Sequence, residues 1–143
     1  MAVVFNQSAK NILDAYISGK TFYLELVTAA PAGTVTTNTQ LTKASGGNYA
    51  PVVLTNMASS THNTDGAKLD FDDAGWQGLY TTAATPIVGG VICQRVGGSP
   101  SGTDPTLVYL ALNTSYTPAT SSGTAQDFTF TFNTNGVLVL DAQ

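Results

Sequence analysis

Short segments in which apolar and polar residues alternate recur along this chain, separated by runs of Thr, Ser, Asn and Gly. The clearest is DFTFTFN at 127–133, where Phe128, Phe130 and Phe132 share one face of an extended strand. A period of two fits a half-buried strand and not a helix. The sequence therefore predicts a mainly β fold, either an antiparallel β-sandwich or a jelly-roll-like barrel, with one short N-terminal helix.

Segments that combine strand-forming residues with flanking turn signals predict about six to eight strands, and there is neither a βαβ alternation nor a fixed-period repeat. The predicted strands are 21–28, 49–56, 67–71, 76–82, 86–96, 106–112, 127–133 and 137–140. The polar segments between them, above all 29–48, 59–66, 97–105 and 113–126, are predicted to be turns and loops.

Two strand predictions carry more detail. In 21–28, Phe22, Leu24 and Leu26 face one way, and Glu25 marks the other face as partly in contact with water. The 86–96 segment is the most apolar, so it reads as a central strand, and its Gly89-Gly90 pair indicates a bulge or a close backbone approach.

Turn and edge signals complete the strand pattern. Pro51 suggests an edge strand or a strand start. Asn135-Gly136 predicts a hairpin between 127–133 and 137–140.

One segment has a helical pattern. Ile12, Leu13, Tyr16 and Ile17 fall on a single apolar stripe of a helix over residues 7–18, which Gly19 ends. With 143 residues, the chain is predicted to be one domain, 1–143, whose N-terminal arm and helix occupy about 1–19.

The composition argues against several functions. Charged residues make up 10% of the chain, the net charge is −4, and the five Lys and Arg form no basic stripe, which argues against nucleic-acid binding. No apolar run reaches the ~18 residues of a membrane helix. The N-terminus lacks the pattern of a signal peptide, so synthesis in a cytosol is expected. Cys93 is the one cysteine and is expected to be a small buried hydrophobe.

Few side chains suggest catalysis. Gly19-Lys20-Thr21 matches only the end of a phosphate-binding loop, and it follows a helix where that motif precedes one. His62 lies near Ser59, Ser60 and Asp65, but neighbours in one loop do not form a catalytic triad, so a solvated histidine is expected. No catalytic residue, cofactor site or metal site is therefore predicted, and the chain is expected not to be an enzyme.

Two other groups of residues have competing interpretations. Asp70, Asp72 and Asp73 could share a calcium ion, but a solvated strand face is favoured, and the sequence leaves calcium binding open. Trp76 and Tyr80 could form a sugar-binding or base-stacking platform, while the row of three phenylalanines reads as core.

The order of segments resembles a known family. A helix AKNILDAYISGKT precedes the strand TFYLELVT, and a polar loop leads into SGGNYAPV. Trp76 follows, then the loop GGSPSGTDP, the strand LVYLAL and the ending NGVLVL. This pattern resembles small virion structural proteins of tailed bacteriophages, labelled tail-fibre-like or simply structural. The resemblance implies a virion location and brings no catalytic residues.

Two virion hypotheses follow from that resemblance. The first is a capsid decoration (cement) protein, a homotrimer bound to the major capsid protein on the outside of the shell. The second is a small tail or tail-fibre component whose loops 29–48 and 97–105 meet the host surface. A non-viral lectin or adhesin, with an exposed Trp or Tyr and calcium, is a third class. In the virion hypotheses the protein is assembled in the host cytoplasm without nucleic-acid or membrane contacts.

Overall fold

The computed structural model describes residues 6–62, 66–133 and 136–141, apart from the side chains of residues 6 and 139–141. Across these residues the chain is mainly β and β-sandwich-like, with one helix near the N-terminus and antiparallel sheets, which confirms the predicted fold class. The helix is α1 (Asn6–Ile17), and the strands are β1 (Thr21–Val27), β2 (Val52–Val53), β3 (Ala58–His62), β4 (Gly66–Asp70), β5 (Ala74–Leu79), β6 (Ile87–Arg95), β7 (Thr106–Tyr116), β8 (Gln126–Phe130) and β9 (Leu138–Asp141).

These elements form two compact units, each assembled from segments that are distant in the sequence. Unit 1 contains α1 and a three-stranded sheet in the order β3-β4-β9. Unit 2 contains a four-stranded sheet in the order β2-β1-β6-β7 and a two-stranded sheet, β5-β8. The assignment of 1–143 to a single domain stays a prediction.

In unit 1, α1 packs against β3 and β4. Ala9 and Leu13 are buried, Tyr16 and Ile17 are half-buried, and Ile12 is 54% exposed. The predicted stripe was therefore wrong at Ile12, which lies about 100° around the helix from Leu13 and so falls beside the buried face. Gly19 ends the helix with a φ of +70°, as predicted.

In unit 2, β6 lies between β1 and β7, which confirms it as a central strand. A Cβ on Gly89 would lie 2.5 Å from the carbonyl oxygen of Leu110, so the predicted close approach is present. A Cβ on Gly90 would lie 2.7 Å from Leu24 and 3.1 Å from Phe130, where the two sheets of this unit pack together. β2 forms the edge of the four-stranded sheet opposite β7, and it begins directly after Pro51, as expected for an edge strand.

The predicted C-terminal hairpin was wrong. A turn is present, since the Gly136 amide donates to the carbonyl of Asn133 at 2.9 Å, while Asn135 lies outside the described residues. However, β8 pairs with β5 and β9 pairs with β4. The chain that follows the turn does not pair with β8, because the Val137 amide donates instead to the carbonyl of Leu69 in unit 1.

The predicted row of three phenylalanines is buried throughout, but it is divided between the units. Phe128 and Phe130 belong to unit 2, whereas Phe132 packs against Phe71 in unit 1 with ring centroids 6.0 Å apart. The expectation that these side chains form core is confirmed.

Two polar segments also differ from the prediction. Residues 59–62 of the predicted 59–66 turn belong to β3, an edge strand paired with β4, and residues 63–65 lie outside the described chain. The predicted loop 113–126 begins with the last four residues of β7. Both stretches are largely exposed, so neither has the buried apolar alternation by which a strand is recognised in a sequence.

Candidate functional site

The face of β1 that carries Tyr23 and Glu25 was predicted to be partly exposed to solvent, but it is buried. Glu25 is 4% exposed and Tyr23 is fully buried. The Asn38 side chain of loop 29–48 bonds to both residues, and the Asp104 side chain of loop 97–105 bonds to Tyr23. We call these two segments the paired loops, because in unit 2 they also bond to each other.

The contacts between the paired loops are made mainly by backbone groups. The amide of Asn38 donates to the carbonyl of Asp104 at 2.9 Å, and the amide of Thr39 donates to the carbonyl of Gly102 at 2.8 Å. Thr37 and Pro105 form an antiparallel bridge beside them. The tail-component hypothesis places both loops at the host surface, and in the structure they bond to each other.

Below that surface lies a polar cluster made of the buried Tyr23, Glu25, Asn38 and Asp104 and the half-buried Tyr49. The Nδ2 of Asn38 donates to Glu25 Oε2 at 2.8 Å and to the Tyr23 hydroxyl at 3.1 Å. The Tyr49 hydroxyl donates to Glu25 Oε1 at 2.7 Å. Each oxygen of this buried carboxylate therefore accepts a hydrogen bond, which burial of a charged group requires.

Asp104 fixes the second loop in the same way. Its Oδ2 accepts from the Tyr23 hydroxyl at 3.0 Å and from the Ser101 amide at 2.8 Å. Its Oδ1 accepts from the Val96 amide at 3.1 Å. With an exposed fraction of 1%, this side chain ties the loop to β1 and to the end of β6, so its function is to hold the loop in position.

Burial also affects the titration of the cluster. Loss of hydration raises the pKa of both Tyr23 and Tyr49 above the usual range, and the nearby carboxylates add to the effect. Burial raises the pKa of the Cys93 thiol to about 11. Cys93 is fully buried beside Asn38 Nδ2, as predicted for a small core residue.

A cleft of about 220 Å³ opens between the paired loops. It is lined by Glu25, Asn38, Lys43, Pro51, Pro100, Ser101 and Gly102. The Nζ of Lys43 donates to Asn38 Oδ1 at 2.6 Å, so this cation is held at the cleft by the polar cluster. The arrangement can present hydroxyl, amide and backbone groups to a partner, but it lacks an aligned nucleophile and base within the described residues.

The acidic residues near the end of β4 have separate structural partners. Asp70 accepts from the Phe71 amide at 2.9 Å, Asp72 accepts from Asn56, and Asp73 accepts from the Phe132 amide at 2.8 Å. Leu69 and Phe71 are buried as predicted. Within the described residues, no group of three or more His, Cys, Asp or Glu side chains is placed to hold a metal ion.

The hydroxyl, histidine and acid of the 59–65 segment are not assembled into a triad where the structure describes them. Ser59 Oγ donates to Asp14, which also accepts from Lys10 at 2.6 Å, and these two hydrogen bonds lower the pKa of Asp14. His62 is at the end of β3 and not in a solvated loop, and Asp65 lies outside the described residues.

The other residues that the sequence suggested for binding are held by contacts within the fold. Trp76 is 7% exposed, and its Nε1 donates to the carbonyl of Ala50 at 2.7 Å, so it does not form an open platform. Tyr80 is half-buried at a bridge with Ala119. Lys20 follows α1, and its Nζ lies 3.9 Å from the centroid of the Tyr16 ring.

Sequence reasoning missed Asn38, Tyr49 and Asp104 as members of a buried cluster. The available signal was Glu25 within an otherwise apolar strand, since a charged residue between buried neighbours needs partners from elsewhere in the chain. Nothing in the local pattern indicates which loop residues supply them.

The fold and the paired loops define a mainly β protein with a loop-built surface. Comparison with protein-family models, with curated protein sequences and with solved structures finds no significant match to the chain. Of the helices among the described residues, none is both long and apolar enough to cross a membrane.

Proposed function

We propose that this chain is a non-enzymatic structural protein of a tailed bacteriophage virion, acting as a capsid decoration protein that binds the outside of the major capsid protein shell. The resemblance of its segment order to small phage structural proteins supports the virion location. The paired loops supply a surface of the kind that such a role requires.

The observation that carries the proposal is the uncharged character of that surface. The paired loops contain two charged residues, Lys43 and Asp104. Asp104 is buried, and Lys43 is half-buried with its amine on Asn38. The exposed positions are mostly Thr, Ser, Gly, Ala and Pro, so binding would depend on shape and hydrogen bonds and would respond weakly to salt.

Rigid loops favour repeated attachment to a shell. The hydrogen bonds that hold Asn38 and Asp104 reduce the freedom that the loops would lose on binding. In a shell the same contact repeats many times, and a homotrimer would engage three sites at once. A modest contact per copy can then stabilise the whole particle.

The experiment that tests this proposal is the copy number of the chain in purified particles, measured by quantitative mass spectrometry against the major capsid protein. A ratio near one-to-one, or another simple fraction of the shell count, supports decoration. Absence from the particles contradicts the virion role.

A surface variant makes the test specific to the paired loops. Ser99→Glu places a charge at an exposed position of loop 97–105, and Ser8→Glu adds the same charge on the exposed side of α1. Decoration through the paired loops predicts fewer copies per particle for the first variant and an unchanged number for the second. Equal copy numbers for both would mean that another surface contacts the shell.

A tail or tail-fibre component is the second candidate function. The cleft between the paired loops supports it, because a recess lined by Lys43, Ser101 and Gly102 can receive a polar group of a host receptor. A ratio of a few copies per hundred capsid proteins would favour this function over decoration.

A further inference from the structure

The amine of Lys43 lies against the side-chain amide of Asn38. The distance between Lys43 Nζ and Asn38 Oδ1 is 2.6 Å. The amide carbon, Cγ, is bonded to Oδ1 at about 1.23 Å, so it lies no more than about 3.8 Å from Nζ. A nucleophile attacks a carbonyl carbon from about 3–3.5 Å, and a small rotation of the flexible lysine side chain closes the difference. The two side chains are therefore placed as the reactants of an acyl transfer to a lysine amine.

The backbone holds Lys43 on the face of β1 where the polar cluster lies. Lys43 forms an antiparallel bridge with Val27, and beside it the Ala44 amide donates to the carbonyl of Leu26 at 3.0 Å. Paired residues of antiparallel strands lie on one face, and residues two apart in a strand share that face. Lys43 therefore lies on the same face as Val27 and Glu25.

The opposite side of the Asn38 amide contacts a carboxylate. Asn38 Nδ2 donates to Glu25 Oε2 at 2.8 Å, and the Tyr49 hydroxyl donates to the second oxygen, Oε1, at 2.7 Å. Because an ammonium group only donates and a carboxylate only accepts, these neighbours turn the amide oxygen toward Lys43 and the amide nitrogen toward Glu25. A group that can carry a proton is thus within hydrogen-bond reach of the nitrogen that would leave.

Burial protects this amide from water. Asn38 is 2% exposed and Glu25 is 4% exposed, and the fully buried Tyr23 accepts a second hydrogen bond from Asn38 Nδ2 at 3.1 Å. The amide carbon is therefore fixed in position and shielded from hydrolysis, which favours the neighbouring amine over water. The cleft of about 220 Å³ that Lys43 lines gives protons and a small leaving group a path to solvent.

We propose that Lys43 and Asn38 join in an intramolecular isopeptide bond, with Glu25 as the group that transfers the proton. After the lysine ammonium has lost a proton to solvent, the electron pair on Nζ attacks Cγ, and the π pair of the C=O bond moves to Oδ1. Glu25 then takes a proton from Nζ and gives it to Nδ2. The C=O bond re-forms as the Cγ–Nδ2 bond breaks, and ammonia leaves with the electron pair of that bond.

Atoms and charge balance in this reaction. A lysine ammonium and an asparagine amide give a secondary amide and an ammonium ion, with no oxidant or reductant, and Glu25 returns to its carboxylate form. The bond forms once in each chain. The amine and the carboxylate meet only at the amide that they share, so they are not aligned to act on a bound partner.

The bond changes the character of the paired loops. Lys43 is the one charged residue of loop 29–48, so its conversion to a neutral amide leaves that loop without charge. Positions 38 and 43 become covalently fixed to each other, which reduces the conformational freedom of the segment between them. These effects do not depend on the proposed phage function, because the bond lies within one chain and its formation is measured without particles.

The test is the mass of the purified full chain, measured by mass spectrometry after denaturation. We expect a mass lower than that of the sequence by one ammonia. Trypsin cleaves after unmodified lysine, so the bond blocks cleavage after Lys43 and gives one fragment, 21–68, that is lighter by one ammonia. An asparagine that closes on its own backbone also loses ammonia, but the chain is then still cleaved after Lys43 into fragments 21–43 and 44–68.

Three variants test the reacting groups. Lys43→Arg keeps the positive charge but removes the nucleophilic amine, so it should give the full sequence mass and both short fragments. Glu25→Gln keeps the shape but removes the proton carrier, whose contribution is typically about 100-fold or more, so most of the chain should stay unlinked. Lys10→Arg is the matched control and should leave the bond intact, because Lys10 Nζ also lies 2.6 Å from a side-chain oxygen, but that oxygen belongs to the carboxylate of Asp14.

Three results would contradict the bond or its mechanism. A parent chain of full sequence mass that is cleaved after Lys43 would overturn the proposal, and so would a loss of ammonia that persists in Lys43→Arg. Circular dichroism shows whether Glu25→Gln is folded, and a folded Glu25→Gln that links as fully as the parent would overturn the role of Glu25. The mass and digestion of the parent chain need no variant, so they decide whether the bond forms even if a variant fails to fold.

Discussion

Asn38 Nδ2 donates a hydrogen bond of 2.8 Å to Glu25 Oε2, and both side chains are buried. Thirteen positions separate the two residues, one in a loop and the other in β1. The bond allows a charged residue to lie inside an apolar strand, and it fixes the middle of loop 29–48 on the sheet. The position of the proposed binding surface therefore depends on a buried amide–carboxylate contact.

Replacing Asn38 with Ala should destabilise the protein. The change removes the donor to Glu25 and to Tyr23 and leaves a buried carboxylate with one hydrogen bond fewer, which costs about 1–3 kcal/mol. Asn113→Ala is the matched control, because Asn113 is exposed on β7, and it should stay within about 0.5 kcal/mol of the parent. Urea unfolding of both variants measures the difference, and equal midpoints would mean that the cluster does not stabilise the fold.

Alkaline pH should weaken the fold through the same cluster. Burial raises the pKa of Tyr23 and Tyr49, and raises that of Cys93 to about 11, so the folded state holds these protons more tightly than the unfolded chain. Below their ordinary pKa values, about 8.5 for Cys and about 10 for Tyr, the protonated side chains make their full contribution to the free energy of unfolding. This contribution is lost as the pH rises above those values.

Urea unfolding between about pH 7 and about pH 11 measures this effect. The free energy of unfolding should change little up to about pH 8 and then fall. Cys93→Ala should delay the fall, because Cys93 has the lowest ordinary pKa of the three groups. A Tyr80→Phe control, outside the cluster, should keep the profile of the parent. Constant stability up to about pH 11 would contradict the assigned shifts.

Much of the architecture could be predicted from local patterns, and the errors in the pairing of β9 and in the burial of Glu25 have a common cause. Leu69 and Phe71 were predicted correctly because burial repeats every two residues from β4 into the residue that follows it. The pairing of β9 with β4 was missed, because Asn135-Gly136 predicts a turn but says nothing about which strand the returning chain will meet. The buried state of Glu25 likewise depends on loop residues that are distant in the sequence.

Gly89 should be intolerant of a side chain. A Cβ there would lie 2.5 Å from the carbonyl oxygen of Leu110 and 2.5 Å from the Tyr109 ring, and the backbone oxygen cannot move aside without disturbing the β6–β7 pairing. Gly89→Ala should therefore lower stability by about 1–3 kcal/mol. Gly75→Ala is the control, since a Cβ on that strand glycine meets nothing within 4 Å. Thermal unfolding compares them, and similar midpoints would show that β7 can shift to accept the methyl group.

Phe130→Ala tests the core of unit 2. Phe130 is 3% exposed at the end of β8, and its ring lies beside Gly90 of the opposite sheet. Removing the ring leaves a cavity between the sheets and should cost about 3–5 kcal/mol. Thr129→Ala, one residue earlier on the exposed side of the same strand, should change stability by less than about 0.5 kcal/mol. Urea unfolding measures both, and a loss below about 1 kcal/mol for Phe130→Ala would place this ring at a surface and contradict the packing of the two sheets.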